Sequence, residues 1–345
     1  MIRSTRNGVH DHDRCSPSDR CACRRARGDR ARAVCRTHAS QLGADVTLVC
    51  APRQRNIGIP MPSDPLEVNK RRVSINLKTQ DGRHSLDELL RQSDALIEGF
   101  RPGTLERLEL SASALHAIRP SLVIGRCTGW GLSCPRSSSA GHDINFLALA
   151  RILGAIGTDA RSTPPLNLLG DFGGAGMHLA LGVVAALMRA KLDGTGCVVQ
   201  TSIFEASVSL TAHLHGMLDS DLWVDEREAN LLDGGAPFYR CYQSLDGRWV
   251  AMGAIEPVFF AELVTKLEVD VDLQRQYDRT YWPTLTAVLA KRIAERTRDQ
   301  WDEIFTRSDA CATPVLNWME ARSHPDTSAA FEAGDPRPAI TFHGS

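Results

Sequence analysis

The chain has 345 residues, 43% of them hydrophobic and 23% charged, and 40 Lys and Arg against 41 Asp and Glu leave a formal net charge of −1. This balance excludes a fibrous or disordered protein, and the length allows two domains around sizeable cores. The small net charge argues against nucleic acid and anionic lipid as partners, the most apolar run, Leu179 to Leu187, is too short for a bilayer span, and ten scattered cysteines do not make a disulfide scaffold. A soluble protein of the cytoplasm, with no membrane and no nucleic acid attached, is expected.

The first forty residues differ from the rest: ten Arg, four Asp, no Lys, no Glu, and Cys15, Cys21, Cys23 and Cys35 without apolar periodicity. A basic nucleic-acid arm lacks interleaved aromatics, and a zinc site from His10, His12, Cys21 and Cys23 fits no common spacing. A secretory signal lacks its apolar core, and a mitochondrial presequence would be poor in acids. A disordered leader over residues 1–40 is the simplest expectation.

Order begins at Gln41, where a Gly turn leads into the strand Val46 to Val49. Asn69 to Lys78 reads as a second strand with alternating Val73, Ile75 and Leu77. A polar turn from Thr79 to Gly82 and an amphipathic helix through Leu86, Leu89 and Leu90 follow. Ala95 to Ile97 is a buried strand emptying into Glu98-Gly-Phe-Arg-Pro-Gly103, and Leu122 to Ile124 is another. Strands alternating with helices predict an α/β fold with a doubly wound parallel sheet, whose ligands bind beyond the carboxyl ends of the strands, at the loops of Lys78, Arg101 and Trp130. Ile144 to Leu153 and Gly173 to Arg189 read as buried helices, and Val198 begins a strand and helix. Past Ser220 the pattern changes to two strands, Phe238 to Tyr242 and Arg248 to Gly253, and then helices to Phe305, which reads as a smaller α+β domain. The expected division is a large domain over 41–205, a linker over 206–235, a small domain over 236–322 and a return to the large domain over 323–345.

The chemistry concentrates in Gly141-His-Asp-Ile-Asn145 and in Asn167-Leu-Leu-Gly-Asp-Phe-Gly-Gly174. His142 lies at a helix start, where the positive end of the dipole favours a neutral imidazole able to act as a base. Asp143 and Asp171 both read first as N-caps, although an acid among glycines also suits close approach of a ligand. Glu256 ends a strand just before Pro257. No G-x-G-x-x-G, P-loop or G-x-S-x-G is present, so nicotinamide, ATP and serine-hydrolase chemistry have no support.

The strings EGFRPG (98–103), ERL (106–108), TGWG (128–131), AGHDIN (140–145), PPLNLLGDFGG (164–174), LLDGGAPFY (231–239), GAIEP (253–257) and SDACATPV (308–315), in unbroken order, resemble the alpha-methylacyl-CoA racemases of the class III CoA-transferase (CaiB/BaiF) superfamily. The resemblance implies a large Rossmann-like domain and a small domain in an interlocked homodimer, an acyl-CoA substrate, and no metal or other cofactor. It makes His142 and Asp171 the acid/base pair on opposite faces of the substrate's alpha carbon, with Glu256 supporting His142 and Asp143 setting the local hydrogen bonds. It places CoA against Ile75, Leu77, Lys78, Gly99, Phe100, Arg101, Arg107 and Gly141. The same superfamily offers a rival, a CoA-transferase with Asp171 as nucleophile.

The chain departs from the family at its start, where a strand and a Gly/Pro loop give way to the Arg/Cys-rich leader, as in a frame-shifted or degraded start. His38 to Ser40 reads as the remnant of the helix that should follow. An absent strand would leave a sheet edge unpaired, and an inactive relative that at most binds CoA is the corresponding expectation.

Overall fold

The computed structural model describes residues 2–3, 30–52, 64–158 and 160–341. In chain order the elements begin β1 (Ile2–Arg3), α1 (Arg30–Gln41), β2 (Asp45–Cys50), β3 (Arg71–Ser74), α2 (Gln80–Arg91), β4 (Ala95–Glu98), α3 (Thr104–Arg107), α4 (Ala112–Ile118) and β5 (Val123–Thr128). They continue with α5 (Asp143–Leu149), α6 (Ile152–Ala155), the two short strands β6 (Gly157–Thr158) and β7 (Arg161–Ser162), a π-helical segment (Leu168–Gly176), α7 (Met177–Asp193), β8 (Val198–Ser202), α8 (Ile203–Leu210) and α9 (Ala212–Asp219). The remainder is built on β9 (Tyr239–Gln243), β10 (Trp249–Gly253), α10 (Pro257–Leu267), α11 (Trp282–Ile293), α12 (Arg298–Phe305) and β11 (Ala312–Pro314). Two compact units result, one of Met1–Leu153, Pro164–Ala212 and Ile340–Ser345, the other of Gly154–Thr163 and His213–Ala339.

The first unit is a six-stranded sheet in the order β3-β2-β1-β4-β5-β8. Strands β2 and β3 run parallel, as do β4, β5 and β8, and β1 is antiparallel to both of its neighbours. All five longer strands therefore point the same way, the expected parallel arrangement. Alternation along the strands sends Val46, Leu48, Ala95, Ile97, Val123 and Cys127 to a core shared with α1 and α7. Leu122 and Ile124 go to the opposite face with Leu86, Leu90, Leu105 and Leu115. Both faces are covered by helices, as a parallel sheet requires.

The start of the chain differs from its reading as a leader. Helix α1 begins at Arg30, and Ala31, Ala33, Val34 and Cys35 are buried. A regular apolar face was hard to see among so many arginines. The strand expected to be absent has a short substitute: Ile2 pairs with Val46 and Ala95 at the amino ends of β2 and β4. The candidate zinc residues His10, His12, Cys21 and Cys23 lie outside the described residues. Among the described residues no group of His, Cys, Asp and Glu is placed to hold a metal ion.

Other boundaries shift for local reasons. Helix α2 starts before Gly82, because Thr79 caps it by accepting the Gly82 N–H at 3.2 Å. Strand β3 stops at Ser74, leaving Ile75, Leu77 and Lys78 in the loop beyond it. Arg151, at φ 68°, breaks the helix expected to run to Leu153. The segment read as a linker carries α9. Cys50 is disulfide-bonded, whereas Cys35, Cys127, Cys134, Cys197, Cys241 and Cys311 are free.

The long apolar helix also starts earlier than its sequence implied. The π-helical segment is continuous with α7, so Leu168–Asp193 forms one helical run of 26 residues, long and apolar enough by length and composition to cross a membrane. One face of it packs into the core through Leu179, Val183, Ala186 and Ala190. The other face presents Met177, Leu181, Val184, Met188 and Leu192 to solvent, with Leu181 72% and Leu192 89% exposed.

The second unit packs β9-β10-β11, an antiparallel sheet, against α10, α11 and α12 around Phe238, Phe260, Leu263, Leu285 and Trp301.

Candidate active site

Asp171 lies in the first turn of the 26-residue helical run, in its π-helical part. The wider π turn needs close neighbours, and π turns recur at functional sites. Gly170 provides the approach: a Cβ there would stand 2.5 Å from Asp143 Oδ1 and 3.3 Å from Ile203 Cγ2. Through that gap the Asp143 carboxylate accepts the backbone N–H of Asp171 at 2.6 Å. Asp143 is thus not the N-cap of its own helix. His142 takes the cap position of α5, its N–H donating to Asn145 Oδ1 at 3.0 Å, and Asp143 instead fixes the backbone of the neighbouring aspartate. Asp171 is not an N-cap either. Gly170→Ala should push Asp143 off this bond and lower stability by about 1–3 kcal/mol, readable as a shift in the urea midpoint; an unshifted midpoint would mean that the turn yields without cost.

Asp143 and Asp171 are 8% and 7% exposed. Burial, and then the charge of Asp143, push the Asp171 carboxyl up from 3.8 to about 6, while the Asn167 side chain and the Arg30 charge oppose the rise. Burial also raises Asp143, against the backbone N–H groups of Asp171 and Gly170. A carboxyl titrating near 6 exchanges protons readily in both directions near neutral pH. His142, by contrast, is exposed. The imidazole and Asp171 are tied through one residue, since Asp143 follows His142 in the chain and holds Asp171 by its backbone.

Aromatic packing holds the histidine turn. Trp130, in the loop after β5, meets Phe146 of α5 edge to face with centroids 4.6 Å apart, and Phe204 of α8 at 6.2 Å. The Gly141 site faces the same rings.

The positions expected to touch CoA gather at the carboxyl ends of β3 and β4. Ile75 is buried, Leu77 is half-buried, and Lys78, Phe100, Arg101 and Arg107 are exposed. Glu98, 4% exposed, shapes this loop: it accepts the Phe100 N–H at 2.8 Å and pairs with Arg126. Arg126, its register partner on β5, also reaches Glu106 at 3.4 Å. Sequence reasoning missed the Glu98–Arg126 lock, whose one signal was an acid and an arginine just past two apolar runs read as strands.

Glu256 belongs to the other unit. It is exposed at the N-cap of α10, makes no capping bond, and precedes Pro257 at the first helical position. Its turn is held from behind, with Gln276 Nε2 donating to the Ala254 and Ile255 carbonyls at 3.2 and 2.7 Å and the Tyr277 hydroxyl donating to Ile255 at 2.6 Å. The same unit has an open cleft of about 690 Å³ lined by Tyr239, Cys241, Trp249, Ala251, Cys311 and Thr313. Glu228 on its wall pairs with Arg240 at 3.5 Å, so the cleft shows no acid/base couple like that of Asp171.

Residues 31–331 match the model of CoA-transferase family III. The chain belongs to that family. It is 40% identical to the alpha-methylacyl-CoA racemase of Mus musculus over 257 residues, 74% of this chain and 68% of that one. Identity to the Homo sapiens racemase is 39%, over 74% and 67% of the two chains. A CaiB/BaiF family protein from Brucella suis shares the fold with a TM-score of 0.74 at 22% identity, covering 92% of this chain and 90% of that one.

Proposed function

We propose that this family III protein racemises 2-methyl-branched acyl-CoA thioesters. One of His142 and Asp171 removes the alpha proton, and the other returns a proton to the opposite face of the planar enolate. The observation that carries the reading is the pairing of an exposed imidazole with a buried carboxyl raised to about 6, tied through Asp143. A two-base reaction needs groups able to take and to give a proton at one pH, and the thioester itself acidifies the alpha carbon, so the chemistry requires no metal or redox group. The first turn of the 26-residue helical run directs partial positive charge toward the developing enolate. CoA lies along the loops after β3 and β4, where Lys78, Arg101 and Arg107 suit its phosphates. We assign Glu256 a supporting role toward His142 and the enzyme to the cytoplasm. The test is incubation of one enantiomer of a 2-methylacyl-CoA in heavy water: alpha-deuteration with loss of configuration is expected, and a folded protein that binds CoA without exchange would reduce it to an inactive relative.

The family's other chemistry, attack of Asp171 on the thioester carbonyl, stays as the second reading because Asp171 is common to both. A borohydride-trappable aspartyl adduct would favour it.

We further infer that a second copy of the chain covers the exposed stripe of α7, the homodimer implied by the resemblance. Leu181→Glu with Met188→Glu should convert a dimer to a monomer by light scattering. A wild-type monomer, or a variant dimer, would contradict this.

A further inference from the structure

The turn that carries Asp171 has few side chains of its own to hold it, since four of its nine residues, Gly170, Gly173, Gly174 and Gly176, have none. Its π spacing depends on them: a Cβ at Gly173 would stand 3.1 Å from the Leu168 carbonyl oxygen, and one at Gly174 2.8 Å from that of Leu169, each five residues back. A Cβ at Gly176 would strike Val34 Cγ1 of α1 at 2.8 Å. The same glycines leave the backbone free to relax. Hydrogen bonds close the turn at its two ends. At the front, Asp143 accepts the Asp171 N–H. At the back, where the π part ends at Gly176 and α7 begins at Met177, the half-buried His178 reaches one turn back, its Nδ1 2.7 Å from the Gly174 carbonyl oxygen. The Met177 N–H donates to that oxygen as well. A carbonyl can only accept, so Nδ1 carries the proton, in the neutral ring and in the imidazolium alike. The bond therefore does not switch with pH.

We propose that His178 is a positioning residue for Asp171: its ring N–H clamps the Gly174 carbonyl and so keeps the turn at π spacing, with the Asp171 N–H on Asp143. The inference rests on the reading of Asp171 as one of the two proton-transfer groups. Without that donor the turn can slip toward α spacing, which rotates Asp171 about the helix axis and off the Asp143 carboxylate. An asparagine would place its amide nitrogen where Nδ1 stands, whereas a phenylalanine keeps a ring and lacks the donor.

The experiment compares the full-length wild type, His178→Phe and His178→Asn in two readouts. One is alpha-deuteration of a 2-methylacyl-CoA; the other is titration of the Asp171 carboxyl by carbon NMR, its resonance assigned with Asp171→Asn. His178→Phe should lower kcat about tenfold at unchanged KM, the scale of a small misplacement of a reacting group. Its Asp171 should also titrate below the value of about 6 expected in the wild type. His178→Asn should restore both. A His178→Phe protein that is less stable but keeps the wild-type kcat and Asp171 titration would show a structural bond only and overturn the proposal. So would a His178→Asn protein that behaves as His178→Phe does. Should His178→Phe fail to fold, nitrogen NMR of the wild-type imidazole decides: a proton on Nδ1 of the neutral ring supports the clamp, and one on Nε2 overturns it. A wild type that exchanges no alpha proton removes the racemase reading alone, because the Asp171 titration still reads the clamp. The same titration in all three proteins would remove this inference.

Discussion

Replacing His142 or Asp171 by alanine is expected to reduce racemisation by about 10²–10⁴-fold, the usual loss when a positioned acid or base is removed. The two variants should differ in what survives. In the proposed two-base site, with His142 gone, Asp171 would still face one side of the alpha carbon, so the enantiomer presenting its proton there should keep some deuterium wash-in with retained configuration. With Asp171 gone, the opposite enantiomer should show the residue. Mass spectrometry of each enantiomer, with chiral separation of the products, reads both effects. Identical behaviour toward the two enantiomers would refute a two-base site. A CoA-transferase would give another result, because acyl transfer through Asp171 should survive His142→Ala and vanish in Asp171→Ala.

Asp171→Asn is expected to stabilise the fold while abolishing turnover. Burial and the Asp143 charge raise the Asp171 carboxyl from 3.8 to about 6 in the folded chain. Between those values the folded state binds the proton more tightly than the unfolded state does. The group is therefore harmless below about 4, its ionisation costs stability progressively as pH rises through that window, and the full cost remains above it. A shift of this size corresponds to about 3 kcal/mol, which a neutral amide of the same shape would recover while keeping the backbone bond to Asp143. Denaturant unfolding of wild type and variant at pH 4 and pH 8 gives the test. The stability gap should be small at pH 4 and favour the variant at pH 8; a gap independent of pH would mean that Asp171 is not strained by burial. Asp143 has a raised pKa for the same leading cause, so the comparison is best made between the two proteins at each pH.

Much of the candidate site was legible in the sequence. The candidates His142 and Asp171 and the EGFRPG loop follow from motifs in fixed order, and the strands from alternating apolar runs, because strand period and loop composition are local properties; the order of the strands in the sheet came only with the fold. Asp143 was misread for a physical reason. A carboxylate at a helix start caps its own helix in most sequences, and only the close approach allowed by Gly170 lets it reach another backbone. The π turn was likewise invisible, since Leu168 to Gly176 has the composition of a glycine-rich turn and becomes helical by continuity with α7. The arginine-rich start concealed α1, whose few buried side chains gain their stability mainly from the π-helical segment and α7 against which they pack.

The α/β class, the family and the identity of the candidate acid and base are readable from the chain alone, because apolar periodicity and side-chain chemistry are written residue by residue. The burial of Asp171, the rise of its carboxyl to about 6, the hold of Asp143 on its backbone and the seat of Arg32 on Gly99 arise only on folding. Each of these depends on residues far apart in the chain sharing one small, dry volume, and desolvation and contact are properties of that volume rather than of any segment.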